Sequence, residues 1–465
     1  MKIRHYLLVL LGCVCFASAK AQLKLPIIFN DNMVLQRNSE VPVWGWATPG
    51  EQVNITATWT TGNAYTAAAD EDGKWMVRIP TTEGPGPYEM IIKDSQSPAD
   101  TLSNVMLGEV WLASGQSNME WSAGAGIKGG EPEIKRATNP QIRFFKVPHL
   151  TADEEQQDTQ GVWQESIPET MKEFSAVAYF FAKKINEQLG VPVGVIGSYW
   201  GGSPAEIWIP QSSFIKDTLL TESASKIKEQ PWSPIKPSVA YNAMVAPLVP
   251  YDIAGVLWYQ GETNAQNVEY YEHTFTSLIN SWRKKWDKDF PFYYAQIAPY
   301  NYEEGNDGVG IRDVQRRVLH LPATGMVMTS DIGNINDIHP RNKIDVGERF
   351  ANLALAKYYK TLDQTVEGPL PIEAKYTAKG LEVHFKNNKD LQVRGPMRSM
   401  QFEVAGEDMV FKTAMARVED DIVVLQSPVA TPKYVRYAWK NTAEPDIFNA
   451  AGLPLTSFMI GVEKK

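Results

Sequence analysis

The sequence predicts an α/β protein with a mainly parallel central sheet and a β-rich region on either side. In residues 105–362, short apolar strands alternate with amphipathic helices, which is typical of a parallel sheet covered on both faces. Residues 22–104 and 363–465 instead contain short alternating strands separated by turn signals, which favours small β-sandwich-like domains. No low-complexity linker separates these parts, so we expect them to pack together.

The first 21 residues have the features of an export signal. Lys2 and Arg4 give a basic start, residues 6–16 form a short apolar run, and residues 19–21 supply a small-x-small cleavage pattern. The apolar run is shorter than the roughly 20 residues that span a bilayer. We therefore expect export to the periplasm or the extracellular space without a transmembrane segment. A lipid anchor at Cys13 is the alternative, because residues 10–13 loosely match a lipoprotein signal.

Composition limits the partners and cofactors. The chain of 465 residues has a net charge of −9, which argues against nucleic acid and anionic membranes but would not repel a neutral carbohydrate. Both cysteines, Cys13 and Cys15, lie in the export signal, so the mature chain is expected to contain no disulfide and no thiolate ligand. Neither an HExxH zinc motif nor a glycine-rich phosphate loop is present, and we expect no metal and no cofactor.

The flanking regions show the period of two that half-buried strands require. Residues 53–59 alternate apolar and polar side chains, and further strands are predicted at 74–79 and 88–92. Near the other end of the chain, residues 381–385 and 434–439 alternate in the same way.

The central region begins with an apolar strand at residues 110–112. Apolar residues at helical spacing then predict a helix from Phe174 that ends at Gly190. Four more strands and a last helix complete this region; the strands are predicted at 191–196, 253–259, 292–297 and 326–329, and the helix at 346–358.

Polar loops follow several of these strands, at the edge where ligands collect in parallel sheets. After the first strand, Gly115 permits a sharp turn and Ser117 opens a helix, where its N–H group can point at a developing oxyanion. A serine in this position is also a common helix N-cap, so both interpretations stay open at this point.

Two further loops offer hydrogen-bond donors. Gly201 and Gly202 follow the strand at 191–196, and Gly202 can present an unobstructed N–H group or merely form a tight turn. Gln260 and Asn264 follow the strand at 253–259, and their amides can serve an oxyanion or simply tie down the loop.

A histidine lies in the loop at residues 336–343. Because His339 precedes Pro340, its backbone is biased to an extended conformation and the next helix must start later. The imidazole is then free to accept a proton from a serine hydroxyl. A loop histidine can also be merely solvated.

Taken together, these loops resemble the motif blocks of the SGNH-hydrolase superfamily, and most closely its sialate O-acetylesterase family. The shared blocks occur in the family's order as Gly-Gln-Ser-Asn-Met at 115–119, Trp-Gly-Gly at 200–202, Trp-Tyr-Gln-Gly-Glu at 258–262 and Asp-Ile-His-Pro-Arg-Asn-Lys at 337–343. The resemblance implies a three-layer α/β/α, flavodoxin-like catalytic domain at residues 105–362.

The activity that the resemblance implies is removal of acetyl groups from an O-acetylated carbohydrate, with sialate esters as the first choice. Acetylated xylan or another plant polysaccharide is the alternative substrate. A carbohydrate-binding surface protein without activity is the alternative from another class. No oligomeric state is predicted.

The resemblance also assigns roles to individual residues. Ser117 would be the nucleophile and His339 the general base. The oxyanion would be held by the N–H groups of Ser117 and Gly202 and by a side-chain amide, Gln260 in preference to Asn264.

One position departs from the superfamily pattern. Many members have aspartate three residues before the catalytic histidine, where this chain has Asn336. Asp337, Asn336 or a backbone carbonyl is therefore the candidate for orienting the imidazole, with Asp337 preferred. Trp121 and Trp200 are candidates for stacking on a sugar, as is Trp208, and Glu262 is a further candidate substrate contact.

Overall fold

The structure is a computed structural model that describes residues 22–395 and 398–463. The export signal at residues 1–21 lies outside these ranges, so its cleavage and the lipid-anchored alternative stay predictions. Within the described ranges, no helix is both long enough and apolar enough to cross a membrane.

The structure contains strands throughout and helices mainly in its central part. The strands are β1 (Val34–Gln36), β2 (Glu40–Trp46), β3 (Gln52–Ala57), β4 (Ala64–Ala68), β5 (Lys74–Pro80), β6 (Tyr88–Lys93), β7 (Asp100–Gly115), β8 (Asn139–Lys146), β9 (Trp163–Ser166), β10 (Val193–Tyr199), β11 (Gly255–Tyr259), β12 (Phe292–Ala295), β13 (Thr324–Val327), β14 (Leu370–Thr377), β15 (Gly380–Lys386), β16 (Gln392–Val393), β17 (Ser399–Ala405), β18 (Lys412–Glu419), β19 (Ile422–Gln426), β20 (Tyr434–Tyr437), β21 (Ile447–Phe448) and β22 (Phe458–Gly461). The α-helices are α1 (Ser117–Glu120), α2 (Gly130–Lys135), α3 (Pro168–Glu173), α4 (Ala176–Leu189), α5 (Gln211–Phe214), α6 (Thr218–Lys226), α7 (Val268–Trp286), α8 (Gly308–Arg317) and α9 (Lys343–Lys357).

The central sheet has the strand order β13-β12-β11-β7-β10-β8-β9. Its neighbouring strands are parallel except for the edge pair β8 and β9. This confirms the mixed α/β class and the largely parallel central sheet that the sequence predicts.

Side chains of β7 alternate between two hydrophobic clusters. Val110 and Leu112 belong to the cluster that includes apolar residues of α7, whereas Trp111 and Ala113 belong to the cluster that includes those of α4 and α9. Because successive side chains of a strand point to opposite faces, the apolar run 110–113 is buried on both sides.

β7 also belongs to the N-terminal β region. Its first part pairs antiparallel with β6, and its last part pairs parallel with β10 and β11. The predicted boundary between residues 104 and 105 falls within this strand, and the division into domains stays a prediction. Apolar residues of β2, β3, β5 and β6 share one cluster between the β2–β5 pair and the sheet that contains β3 and β6.

The C-terminal region has one antiparallel sheet of seven strands in the order β14-β15-β19-β18-β17-β20-β22. Ala374, in β14, forms a bridge with Val462, just after β22, so the sheet is nearly closed and barrel-like. The sequence predicted a sandwich-like arrangement here. Strand alternation gives the same pattern in both cases, and the twist of a single sheet brings its edges together.

Helix boundaries differ from the predicted ones at the caps. α4 begins at Ala176, because the Ser175 hydroxyl accepts a hydrogen bond from the Ala178 N–H group at 3.2 Å. α9 begins at Lys343, three residues earlier than predicted, because Asn342 caps it through the N–H group of Asp345 at 3.2 Å. The long helix α7 was not predicted from the sequence.

Candidate active site

Three strand ends of the central sheet meet at Gly115. In the register of the sheet, Gly115 pairs with Tyr199, the last residue of β10, and with Tyr259, the last residue of β11. The loops that follow these three strands are therefore neighbours, and backbone hydrogen bonds join them, from Gln116 N–H to Tyr259 O at 2.9 Å and from Trp200 N–H to Gly115 O at 3.0 Å.

Gly115 is required at this point for two reasons. Its φ of 130° lies in the region that favours glycine, and a Cβ atom there would overlap the carbonyl of Tyr259. The turn that presents Ser117 thus depends on the absence of a side chain.

We expect Gly115→Ala to lower both the melting temperature and the rate of acetate release. Strained φ alone costs about 1–3 kcal/mol, and the overlap with the β11 backbone adds to it. Gly126→Ala is the matched control, because Gly126 also has positive φ (90°) but no atom within 4 Å of the added Cβ. Equal melting temperatures for the two variants would contradict the steric argument.

Ser117 is half-buried and is the first residue of α1. The N-cap position is occupied by Gln116, so Ser117 is not the cap that the sequence left as an alternative. Its N–H group is one of those at a helix start that have no acceptor within the helix. Gly201 lies against it, since a Cβ atom built on Gly201 would be 3.4 Å from Cβ of Ser117.

The loop that carries His339 is tied to the helix that carries Ser117. Asn118 donates from Nδ2 to the carbonyl of Ile338 at 3.0 Å, which links the residues adjacent to the two candidates. The imidazole stacks on Trp121 with ring centroids 4.4 Å apart. Among the described residues no hydrogen bond joins the imidazole to the Ser117 hydroxyl, and such bonds are often long before substrate binds.

The environment of His339 favours its neutral form. Burial lowers the pKa of the imidazole below its usual 6.5, the Lys343 ammonium lowers it further, and the Asp337 carboxylate opposes both. A neutral imidazole is the form that accepts a proton, so the histidine is in the basic form near neutral pH.

The candidates for orienting the imidazole differ in their contacts. The Asp337 carboxylate accepts a hydrogen bond from the backbone N–H of His339 at 2.9 Å, which stabilises the loop. Asn336 is exposed, and its backbone N–H donates to the side chain of Asn334 at 3.0 Å. The carbonyl of Ile338 accepts from Asn118. The identity of the third catalytic member stays a prediction.

The two glycines after β10 have different roles in the structure. The Gly201 N–H donates to Oε2 of Glu120 at 2.6 Å. Gly202 has a positive φ of 72°, and its carbonyl accepts from the hydroxyls of Ser233 at 3.0 Å and Thr263 at 2.9 Å. Its N–H group has no acceptor among the residues that the structure describes. This leaves the Gly202 N–H available to a ligand.

The amides of Gln260 and Asn264 are buried and bound within the protein. Gln260 Nε2 donates to Ser203 O at 3.2 Å and to Asn264 Oδ1 at 2.6 Å. Asn264 Nδ2 donates to the Glu206 carboxylate at 3.0 Å and to Asn267 Oδ1 at 3.1 Å. These hydrogen bonds tie the loop to its surroundings. Donation to an oxyanion by either amide stays a prediction, and it would require that amide to give up one of these hydrogen bonds.

A buried polar network that sequence reasoning missed connects three of the motif blocks. Asn118 donates to Oε1 of Glu262 at 2.6 Å and accepts from Nζ of Lys343 at 2.5 Å. Lys343 is 1% exposed and Glu262 is 7% exposed. Burial raises the pKa of the Glu262 carboxyl and lowers that of Lys343 to about 7. The internal partner of Glu262 favours a structural role over the predicted substrate contact.

The signal for this network was present in the sequence. Asn118 directly follows the candidate serine in the first motif block. Glu262 ends the block that follows the strand predicted at 253–259, and Lys343 ends the histidine block. Their pairing depended on which loops the sheet brings together.

The three tryptophans considered for sugar stacking have different surroundings. Trp121 uses one ring face on His339, and Trp200 stacks on His149 with centroids 4.3 Å apart. Trp208 is fully buried and donates to the Ser203 hydroxyl at 2.9 Å, so it is a core residue and the prediction for it is wrong.

Comparisons with known proteins show the family of this chain. The sequence model of the family described as "Carbohydrate esterase, sialic acid-specific acetylesterase" matches residues 107–356, more than half of the chain. Human sialate O-acetylesterase is 30% identical over 410 residues, covering 78% of each chain, and the mouse sialate O-acetylesterase is 26% identical over 92% of this chain and 91% of its own. The crystal structure of a carbohydrate acetylesterase from Xanthomonas citri superposes with a TM-score of 0.84 at 34% identity, covering 94% of this chain and 99% of that one.

The protein is a carboxylic-ester hydrolase with a mixed α/β fold. The chain belongs to the carbohydrate esterase family of sialic acid-specific acetylesterases. This sets aside the alternative of a carbohydrate-binding protein without activity.

Proposed function

We propose that this chain hydrolyses O-acetyl esters of carbohydrates with Ser117 as the nucleophile and His339 as the general base. The observation that carries the proposal is the hydrogen bond from Asn118 to Ile338 O at 3.0 Å, because it holds the neighbours of both residues together at one edge of the sheet. We also propose that residues 105–362 form a three-layer α/β/α SGNH domain. The two hydrophobic clusters on opposite faces of β7 support this layering.

In the first half of the reaction, the Ser117 hydroxyl oxygen attacks the acetyl carbonyl carbon and its proton passes to His339. The N–H groups of Ser117 and Gly202 donate to the oxyanion that forms. The tetrahedral intermediate collapses, the bond to the sugar oxygen breaks, and His339 returns the proton to that oxygen. The products are the sugar alcohol and an acetyl-serine.

In the second half, His339 removes a proton from water as the water oxygen attacks the acetyl-serine. The same two N–H groups bind the second oxyanion. Its collapse restores the Ser117 hydroxyl with the proton from His339 and releases acetate.

For the substrate we propose acetylated sialosides first and acetylated plant polysaccharides second. The relatives named sialate O-acetylesterase support the first substrate. The superposition on the Xanthomonas citri carbohydrate acetylesterase supports the wider class of acetylated carbohydrates. Acetate release from a panel of acetylated sialosides and xylans tests this. Hydrolysis of neither class would contradict the proposal.

The pH dependence of kcat/KM should have its acid limb below pH 6.5. A lowered pKa keeps His339 neutral, and hence able to accept a proton, down to a lower pH. Asp337→Asn should move the limb still lower, because the Asp337 charge raises the pKa of His339. Initial rates of acetate release between pH 4 and 9 measure both. A limb above pH 6.5 in the unchanged protein would contradict the prediction.

The third catalytic member is tested by the same variants at the pH optimum. We propose Asp337, and therefore expect Asp337→Asn to lower kcat by about 100-fold or more. Asn336→Ala is the matched control, since Asn336 is exposed and uncharged, and we expect it to retain nearly full activity. The opposite ranking would name Asn336, and small effects in both would point to a serine–histidine dyad.

A further inference from the structure

Trp232 differs from the other tryptophans near the candidate active site in its exposure. The residue is 64% exposed, and it is the one tryptophan among the exposed large apolar residues of the part of the chain that the structure describes. Single exposed apolar residues are normal on a protein surface. Exposure alone therefore does not indicate a binding role for Trp232, and any such role depends on where the residue lies.

The segment that carries Trp232 is fixed on Gly202. Gln230 Nε2 and the Ser233 hydroxyl both donate to the Gly202 carbonyl, the latter at 3.0 Å. The carbonyl of Trp232 itself accepts from Nε1 of Trp200 at 3.0 Å. Residues on both sides of Trp232, and its own backbone, are thus held at the loop that follows β10.

The indole lies directly against Gly202. A Cβ atom built on Gly202 would overlap Cδ1 and Nε1 of Trp232, so the absence of a side chain makes room for the ring. The preceding residue, Gly201, lies against Ser117. Trp232 therefore lies beside Gly202, and the neighbouring glycine faces Ser117, while Trp232 itself is largely open to solvent.

We propose that Trp232 is the platform on which the sugar ring of the acetylated substrate stacks. This inference rests on the proposed function. Sugars present faces of C–H groups that pack on aromatic rings, and the large apolar area of an indole makes such contacts favourable. The backbone of this segment is already held by hydrogen bonds, so little of its conformational freedom is lost when the sugar binds.

The contact acts on the sugar and not on the acetyl group, and this allows a sharp test. Trp232→Ala should raise KM for an acetylated sialoside or xylo-oligosaccharide about threefold to tenfold and leave kcat nearly unchanged. The rate with triacetin, an ester without a ring, should be unchanged. Trp232→Phe should retain most of the affinity. Ile215→Ala, at another exposed apolar residue (67% exposed), should leave kcat and KM unchanged for both substrates.

Two results would overturn the inference. Equal losses on triacetin and on the sugar ester would mean that Trp232 acts by holding Gly202, and unchanged kinetics on both would mean that it does not contact the sugar. Titration calorimetry of the Ser117→Ala variant with the acetylated sugar, with and without Trp232→Ala, gives the same comparison for binding alone. If the wild-type protein releases no acetate but Trp232→Ala still weakens sugar binding, the proposed function is refuted and the sugar-stacking role of Trp232 is retained.

Discussion

Ser117→Ala is expected to lower kcat for acetate release by on the order of 10⁴-fold or more. The hydroxyl oxygen of Ser117 is the atom to which the acetyl group is transferred, and neither the oxyanion donors nor the histidine can replace it. His339→Ala should cause a comparable loss. Because the two groups act in one step, the double variant should be little worse than either single variant.

The measurement is the initial rate of acetate release, accompanied by the melting temperature to show that the fold is retained. Ser122→Ala is the matched control, because Ser122 is a half-buried serine five residues further along whose side chain makes no capping hydrogen bond. Full activity in Ser117→Ala would remove this residue as the nucleophile. A multiplicative loss in the double variant would contradict their joint action.

Lys343→Met is expected to destabilise the protein by about 1–3 kcal/mol. The ammonium of Lys343 donates to Asn118 Oδ1, and Asn118 in turn binds Glu262. Removing the lysine leaves a buried carboxyl group without its neighbouring cation and an amide oxygen without its donor. The tether from Asn118 to the histidine loop should weaken, so kcat should fall as well.

Urea unfolding followed by tryptophan fluorescence measures this loss. Lys357→Met is the matched control on the same helix. Its ammonium is exposed and lies 2.8 Å from the half-buried Glu367 carboxylate, and a pair with an exposed cation is expected to contribute no more than about 1 kcal/mol. Adding Glu262→Gln to Lys343→Met should recover part of the stability, because it removes the stranded charge. Similar unfolding midpoints for the two lysine variants would contradict the role of the buried network.

Local patterns carried much of the fold. The apolar residues 110–112 predicted a strand, and they lie in the last part of β7, the strand between β10 and β11 that is buried on both faces. Gly190 ended a predicted helix and is the C-cap of α4. The nearly closed C-terminal sheet was not predictable in this way, because the alternation of a strand does not depend on which strand lies beside it.

The side-chain amides show the same limit at the candidate site. Gln260 and Asn264 have the right chemistry and the right place in the chain for oxyanion donors. In the structure both amides are buried, and both donate hydrogen bonds to residues that are distant in sequence, such as Ser203 and Glu206. Residue type gives a side chain its donors, and only packing determines which acceptors they reach.

The sequence by itself determined the family, the order of the motif blocks and the candidates Ser117 and His339, because each block is a short local pattern at a strand end. The tertiary structure alone decided that Gly115 pairs with both Tyr199 and Tyr259 and that Lys343 reaches Asn118. It also placed Trp232 against Gly202. These contacts join residues far apart in the chain, and they form because parallel strands bring their carboxyl ends to one edge of the sheet.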